Sequence, residues 1–202
     1  MFDFSIDEKL KGSFFERLEE IYGEMKVRYE IVASSLGFTC ENCSENCCYT
    51  HFRHHTLIEY LYMIDGIEKL DRDVKNSIVE KSGDVVVATS VADLRDEKIR
   101  ILCPLNIDGL CMLYENRLMI CRLHGVPYFF EGPRGRVEGP GCYRFDSLSE
   151  GKRSVAVLDR TDIYRDLAML EMDVRKAFGI TSKFKKSIAE MIHETYAGGN
   201  EP

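Results

Sequence analysis

Cysteine is the residue type with most to say in this chain. There are eight in 202 residues, and they are unevenly placed. Cys40, Cys43, Cys47 and Cys48 lie within nine residues, Cys103, Cys111 and Cys121 follow more widely spaced, and Cys142 is the last. An even count admits a disulfide framework, but disulfides belong to oxidising compartments and to small domains short of core. The opening Met1–Lys9 alternates charged and apolar residues and has no apolar secretory stretch, which predicts a cytoplasmic protein with reduced thiols. Metal ligation is therefore the chemistry this pattern favours, with all eight cysteines as candidate ligands.

The spacing constrains how they would be used. Adjacent side chains diverge in extended backbone, so Cys47 and Cys48 are not expected to serve one metal, and one of them is assigned to a second site or to packing. A zinc ribbon would place a second C-x2-C pair about 15 to 20 residues on, whereas here the later cysteines start 55 residues after Cys48. One or two centres closed between residues 40–48 and 103–142 would tie distant parts of the chain together, making metal binding part of folding. Arg53, Arg117, Arg122 and Arg144 each stand within five residues of a cysteine and could offset thiolate charge. The helix expected to start near Thr56 would point its positive end at the first cluster.

All-thiolate sites suit both zinc and iron. The scattered spacing, Cys103-Pro104 and the arginines incline toward a 4Fe–4S cluster, while His51, His54, His55 and His124 would allow a mixed zinc site. His54 and His55 read more simply as exposed residues before a helix. Asp108, Glu115 and Glu59 are carboxylates near the cysteines, and none is singled out as a base. A nucleophilic pair drawn from Cys121 and His124 rests on a spacing that many chains offer.

The elements that must position these residues are mainly helical. Residues 1–202 read as a single domain: an N-terminal helix within 1–37, a cysteine-rich metal-binding region over 38–144, and a C-terminal helical hairpin over 155–197. The fold class is mainly α with a small irregular α+β cysteine-rich centre. Phe14, Leu18, Ile21, Met25, Tyr29, Val32 and Leu36 form one apolar stripe, with Ser13 a candidate N-cap and Gly37 the stop. Thr56-Leu57-Ile58-Glu59 has the form of a capping box, and Asp65-Gly66 reads as a break. Residues 70–95 look helical, although Val85–Thr89 also suits a strand. From 99 to 144 helical periodicity fades and four of the five prolines occur. Short extended pieces at Ile99–Leu102 and Cys111–Tyr114 flank a turn at Asn106–Gly109. Gly132–Gly141 lacks the Gly-Lys-Ser/Thr ending of a phosphate loop and is expected to be a turn-rich loop carrying Cys142. Ile163, Leu167, Leu170, Val174 and Ala177 mark a late helix ending at Gly179, and Ser182 is expected to cap the last one.

In order, Cys40-x2-Cys43-x3-Cys47-Cys48, Cys103-Pro104-Leu105, Asp108-Gly109-x-Cys111-x2-Tyr114, Arg117 and Cys121-Arg122 resemble the CxxCxxCC family of zinc- or iron-chelating proteins, which is itself similar to flagellin lysine N-methylases. The resemblance spans roughly 38–143. The chain departs from the family pattern in having three residues rather than two between Cys43 and Cys47, and Leu118 where a proline usually follows the arginine. Metal chelation is what the resemblance implies first. A SAM-dependent protein lysine methyltransferase with an iron–sulfur cluster is a second implication, although no SAM-binding loop is legible, and a zinc-stapled module that engages a protein partner is a third reading.

Composition excludes other classes. No apolar run approaches the roughly 20 residues of a membrane helix. With 27 basic against 34 acidic residues the net charge is −7, the wrong sign for a general nucleic-acid binder.

Overall fold

The computed structural model describes residues 8–40, 43 and 47–197. Seven α-helices and five short strands are present among them, and the protein is mainly helical. The chain divides into two compact units, each built from separate stretches. One takes its described residues from Asp7–Glu45 and Leu118–Ala177, the other from Asn46–Arg117 and Phe178–Pro202.

The first is built on helix α1 (Glu8–Ser34) and helix α6 (Thr161–Phe178). The apolar stripe of α1 buries Phe14, Leu18, Met25 and Val32 as its spacing predicts, together with Tyr22. The helix is already formed at Glu8, so Ser13 lies inside it, its hydroxyl donating to Leu10 O rather than capping. Gly37 adopts φ +63° after the last turn, the left-handed stop expected of it. Between α1 and α6 lie the short helices α4 (Met119–Leu123) and α5 (Tyr143–Ser149). A three-stranded sheet of order β4-β3-β5 completes the unit. Strands β3 (Tyr128–Gly132) and β4 (Gly135–Gly139) form an antiparallel hairpin, and β5 (Leu158–Asp159) runs parallel to β3. Residues 132–141 are thus largely a hairpin and not the irregular loop that their glycines and prolines suggest. Backbone pairing from Tyr128↔Gly139 to Gly132↔Gly135 satisfies the chain there. Arg160 is the most heavily buried charged residue, 1% exposed. It donates to Leu123 O (2.5 Å) and Tyr164 OH (3.1 Å), and its guanidinium lies 3.6 Å from the Tyr128 ring centre. α6 ends at Phe178, with Gly179 at φ +65°, where the sequence places it.

The second unit is built on α2 (Leu57–Glu68), α3 (Arg72–Leu94) and α7 (Ile188–Tyr196), with α3 packed against α7. α2 is buried on nearly every side. It runs through Asp65-Gly66 without a break, because Gly66 serves packing: a Cβ there would meet Asn116 Cγ at 2.7 Å, and Asn116 Nδ2 donates to Tyr62 O. The Thr56 hydroxyl bonds Glu59 side chain to side chain, so the box-like sequence makes no backbone cap. α3 continues through Gly83 and Val85–Thr89, with Ile78, Ser82, Val85 and Ala92 on its buried face, a helical and not a strand period. The last helix is capped by Ser187 in a reciprocal box with Glu190, five residues beyond Ser182. α6 falls almost wholly in one unit and α7 in the other. A two-residue turn at Asp108 (φ +51°) and Gly109 (φ +85°) joins β1 (Asn106–Ile107) to β2 (Leu110–Cys111), the turn the sequence marks.

Candidate metal centre

The eight cysteines divide evenly between the units. Cys47, Cys48, Cys103 and Cys111 fall in the α3–α7 unit; Cys40, Cys43, Cys121 and Cys142 fall in the α1–α6 unit. None forms a disulfide.

In the α3–α7 unit, Cys47 and Cys48 open a single 3-10 turn, Cys47–Tyr49. Extended backbone would turn their side chains apart, but a 3-10 turn separates neighbours by only about 120°. The Cys47 thiol can therefore donate to the Cys48 sulfur, because the backbone here is not the extended form in which adjacent side chains diverge. Cys48 is also bound to the later cysteines. Its carbonyl accepts from Cys103 N at 2.9 Å, and its charge reaches the Cys111 thiol. Asn106, 3% exposed, holds the β-turn by accepting from Gly109 N with Oδ1 while its amide nitrogen donates to the Cys48 sulfur. These bonds, that from Cys47 foremost, outweigh burial and, with the Arg117 charge, pull the Cys48 thiol down to about 6. Cys111 moves the other way. Burial pushes its thiol up, the Cys48 charge adds to that, and the Leu113 N–H and Arg117 only partly offset both.

In the α1–α6 unit, Cys40 follows the end of α1 and Cys142 precedes α5. Cys142 N donates to Gly125 O at 2.9 Å, which fixes it beside the loop leaving α4, the helix that carries Cys121. Gly125 sits at φ +108°, with Phe38 3.0 Å from where a Cβ would be, so only glycine fits comfortably. Phe38 and Phe145 meet edge to face at 5.3 Å. Desolvation raises the Cys40 thiol, followed by the nearby Cys142 and Cys43. The Tyr29 hydroxyl and the Arg144 charge oppose that rise. Tyr29 OH also donates to His124 O at 3.0 Å.

Of the four arginines flagged by sequence, Arg117 and Arg144 reach the cysteines' fields, one in each unit. Arg122 lies over the Tyr22 ring (3.9 Å), and Arg53 pairs with Glu190. His54 is not an exposed residue before α2. It is 4% exposed, with its backbone paired to Lys186 in both directions. Burial, then the neighbouring His55, lowers its pKa to about 4. Burial and Arg160 also lower His124, while His51 and His55 are exposed. Glu59 is buried against Thr56. Sequence reasoning missed Asn106 and Tyr29, which read as a turn opener and a core residue.

As placed, no three or more His, Cys, Asp or Glu side chains among the described residues stand in a metal-holding arrangement. The donor chemistry of each unit, four thiols with an arginine and a neutral hydrogen-bond donor nearby, fits a soft metal. No helix among the described residues is long and apolar enough to cross a membrane. Comparison with known proteins finds no match: no family model, no curated protein and no solved structure is similar to the chain.

Proposed function

We propose that this protein binds zinc or iron, the latter as an iron–sulfur cluster, through its cysteine thiolates. The observation that carries the reading is long-range convergence of soft donors. The Cys48 carbonyl accepts from Cys103 N and its charge reaches Cys111, while the charge of Cys142 reaches Cys40, although the chain between them is long. The resemblance of residues 38–143 to the CxxCxxCC chelating proteins points the same way. Four thiolates around a divalent zinc or a doubly charged 4Fe–4S core leave a net charge of about −2, which the arginines would offset. Holding distant segments together, the metal would contribute to folding stability directly.

The test is elemental analysis and visible spectroscopy of protein purified anaerobically. Stoichiometric iron with acid-labile sulfide and a brown colour that bleaches in air supports the cluster; a colourless protein with stoichiometric zinc supports the ion. Metal-free protein with four stable disulfides overturns the reading.

A further inference from the structure

In the sheet order β4-β3-β5, strand β4 stands at an outer edge. Which of its backbone groups point outward follows from bonds on the far side of β3. Phe129 O accepts from Arg160 N at 2.9 Å, and Glu131 N donates to Thr161 Oγ1 at 3.0 Å. Both residues of β3 thus turn their backbone groups toward the β5 side. Bonding direction alternates along an antiparallel ladder, so Tyr128, Phe130 and Gly132 bond β4, through Gly139, Val137 and Gly135. The N–H and C=O groups of Arg136 and Glu138 are left pointing away from the sheet, with no partner among the described residues. Side chains alternate too. Arg136 and Glu138 share one face, paired to each other at 2.6 Å and both exposed, with the guanidinium 3.7 Å from the Phe129 ring centre. Val137 projects from the other face and is 44% exposed, although Phe130 and Tyr128 beside it pack on Tyr164 and Arg160.

We infer that β4 is the docking edge for a second copy of this chain, pairing antiparallel with its counterpart about a two-fold axis at Val137 and joining the two sheets into one. Charge selects that register. A two-fold axis at Arg136 or at Glu138 would set like charges directly opposite each other, which is destabilising. With the axis at Val137, Arg136 lies opposite the partner's Glu138 and Glu138 opposite the partner's Arg136. These are the residues whose backbone groups point outward, so each pair exchanges both of its N–H···O bonds. Val137 then meets the partner's Val137 in the non-hydrogen-bonded position, where side chains approach most closely, and each covers the other's exposed apolar surface. At the strand ends Gly135 faces the partner's Gly139, and neither has a side chain to obstruct the approach. Pro133 and Pro140, which would block pairing inside a strand, lie just outside β4. The contact is the same patch on both copies, so it closes as a dimer. It is smaller than a standard stable interface, so the dimer is weak and concentration-dependent. None of this depends on the metal-binding reading.

Sedimentation equilibrium of the full chain, at concentrations up to about 1 mM, reads the association. Arg136→Glu alone and Glu138→Arg alone each set like charges opposite across the axis and should raise the dissociation constant about tenfold. Mixing the two variants restores opposite charges at both pairs, so the mixture should form heterodimers about as tightly as the wild type. Circular dichroism matching the wild type shows that each variant is folded. Should one fail to fold, hydrogen exchange of the wild type answers alone: the Arg136 and Glu138 amides should slow as concentration rises, while the Val137 amide, already bonded to Phe130, should not change. A wild type monomeric throughout overturns the proposal and leaves the edge to a strand of another protein. A dimer indifferent to both reversals forms elsewhere on the chain and also overturns it. So does a mixture no tighter than its components, or edge amides whose exchange ignores concentration.

Discussion

The two units hold their cysteines by different means. In the α1–α6 unit the holding is done by packing: Gly125 against Phe38, Phe38 against Phe145, and Arg160 beneath the sheet, bonded to the carbonyl of Leu123 just before that loop. In the α3–α7 unit it is done by hydrogen bonds on a two-residue hairpin, with Asn106 joining the turn to Cys48 and Cys103 joined to Cys48 through the backbone. Partial desolvation of the otherwise exposed Cys40 favours its protonated form, whereas the donors around Cys48 favour the thiolate. Cys48 and Cys40 thus acquire opposite acidity, whereas Cys111, in the same unit as Cys48, is raised by burial as Cys40 is.

Disrupting the packed support should cost most. Arg160→Ala removes a fully buried side chain and leaves the Leu123 carbonyl without that donor. A loss of about 3–5 kcal/mol in urea unfolding is expected, and a loss under 1 kcal/mol would show that burial of Arg160 is incidental. Gly125→Ala forces a side chain onto a left-handed backbone against Phe38 and should cost about 2 kcal/mol. If the cysteines hold metal, it should also lower the metal-to-protein ratio. On the hydrogen-bonded side, Asn106→Ala should cost about 1–2 kcal/mol, since it strips a buried amide from the turn. An Asn106 variant as stable as wild type would erase the contrast between the units.

Thiol reactivity sharpens the comparison further. In reduced protein stripped of metal at pH 7, Cys48 should alkylate faster than Cys40 by about five-fold, allowing for the weaker nucleophilicity of a more acidic thiol. Equal rates by mass spectrometry would remove the acidity difference, and Asn106→Ala should slow Cys48. The sign of the linked stability follows. Cys48 has a folded pKa below its ordinary value of 9.0, so its contribution is complete above about 9 and is lost as pH falls toward 6. The smallest effect is expected at Ser187→Ala, which removes a box cap from α7 far in sequence from any cysteine and should cost about 1 kcal/mol without changing metal content.

Long elements were legible, short ones were not. The stripes of α1 and α6 and the stops at Gly37 and Gly179 follow from a 3.6-residue period sustained over many turns. α4 and α5 span five and seven residues, too few to establish a period, and the β3–β4 hairpin was hidden by the glycines and prolines that also suit a loop. Gly66 misled for a related reason. Glycine signals a break locally, but here close contact with Asn116 demands it inside a helix. His54 read as surface because its neighbours Arg53 and His55 are exposed, and only its backbone pairing with Lys186 places it inside.

The order of residues by itself determined a helical chain with its thiols concentrated between residues 40 and 142, since periodicity and composition are local properties. It could not determine which thiols would be neighbours. That was decided within each unit, where stretches distant in sequence pack together, so that Cys40 feels the charge of Cys142 about a hundred residues on. Proximity of that kind is set by how the buried faces of distant helices pack, and no sequence spacing encodes it.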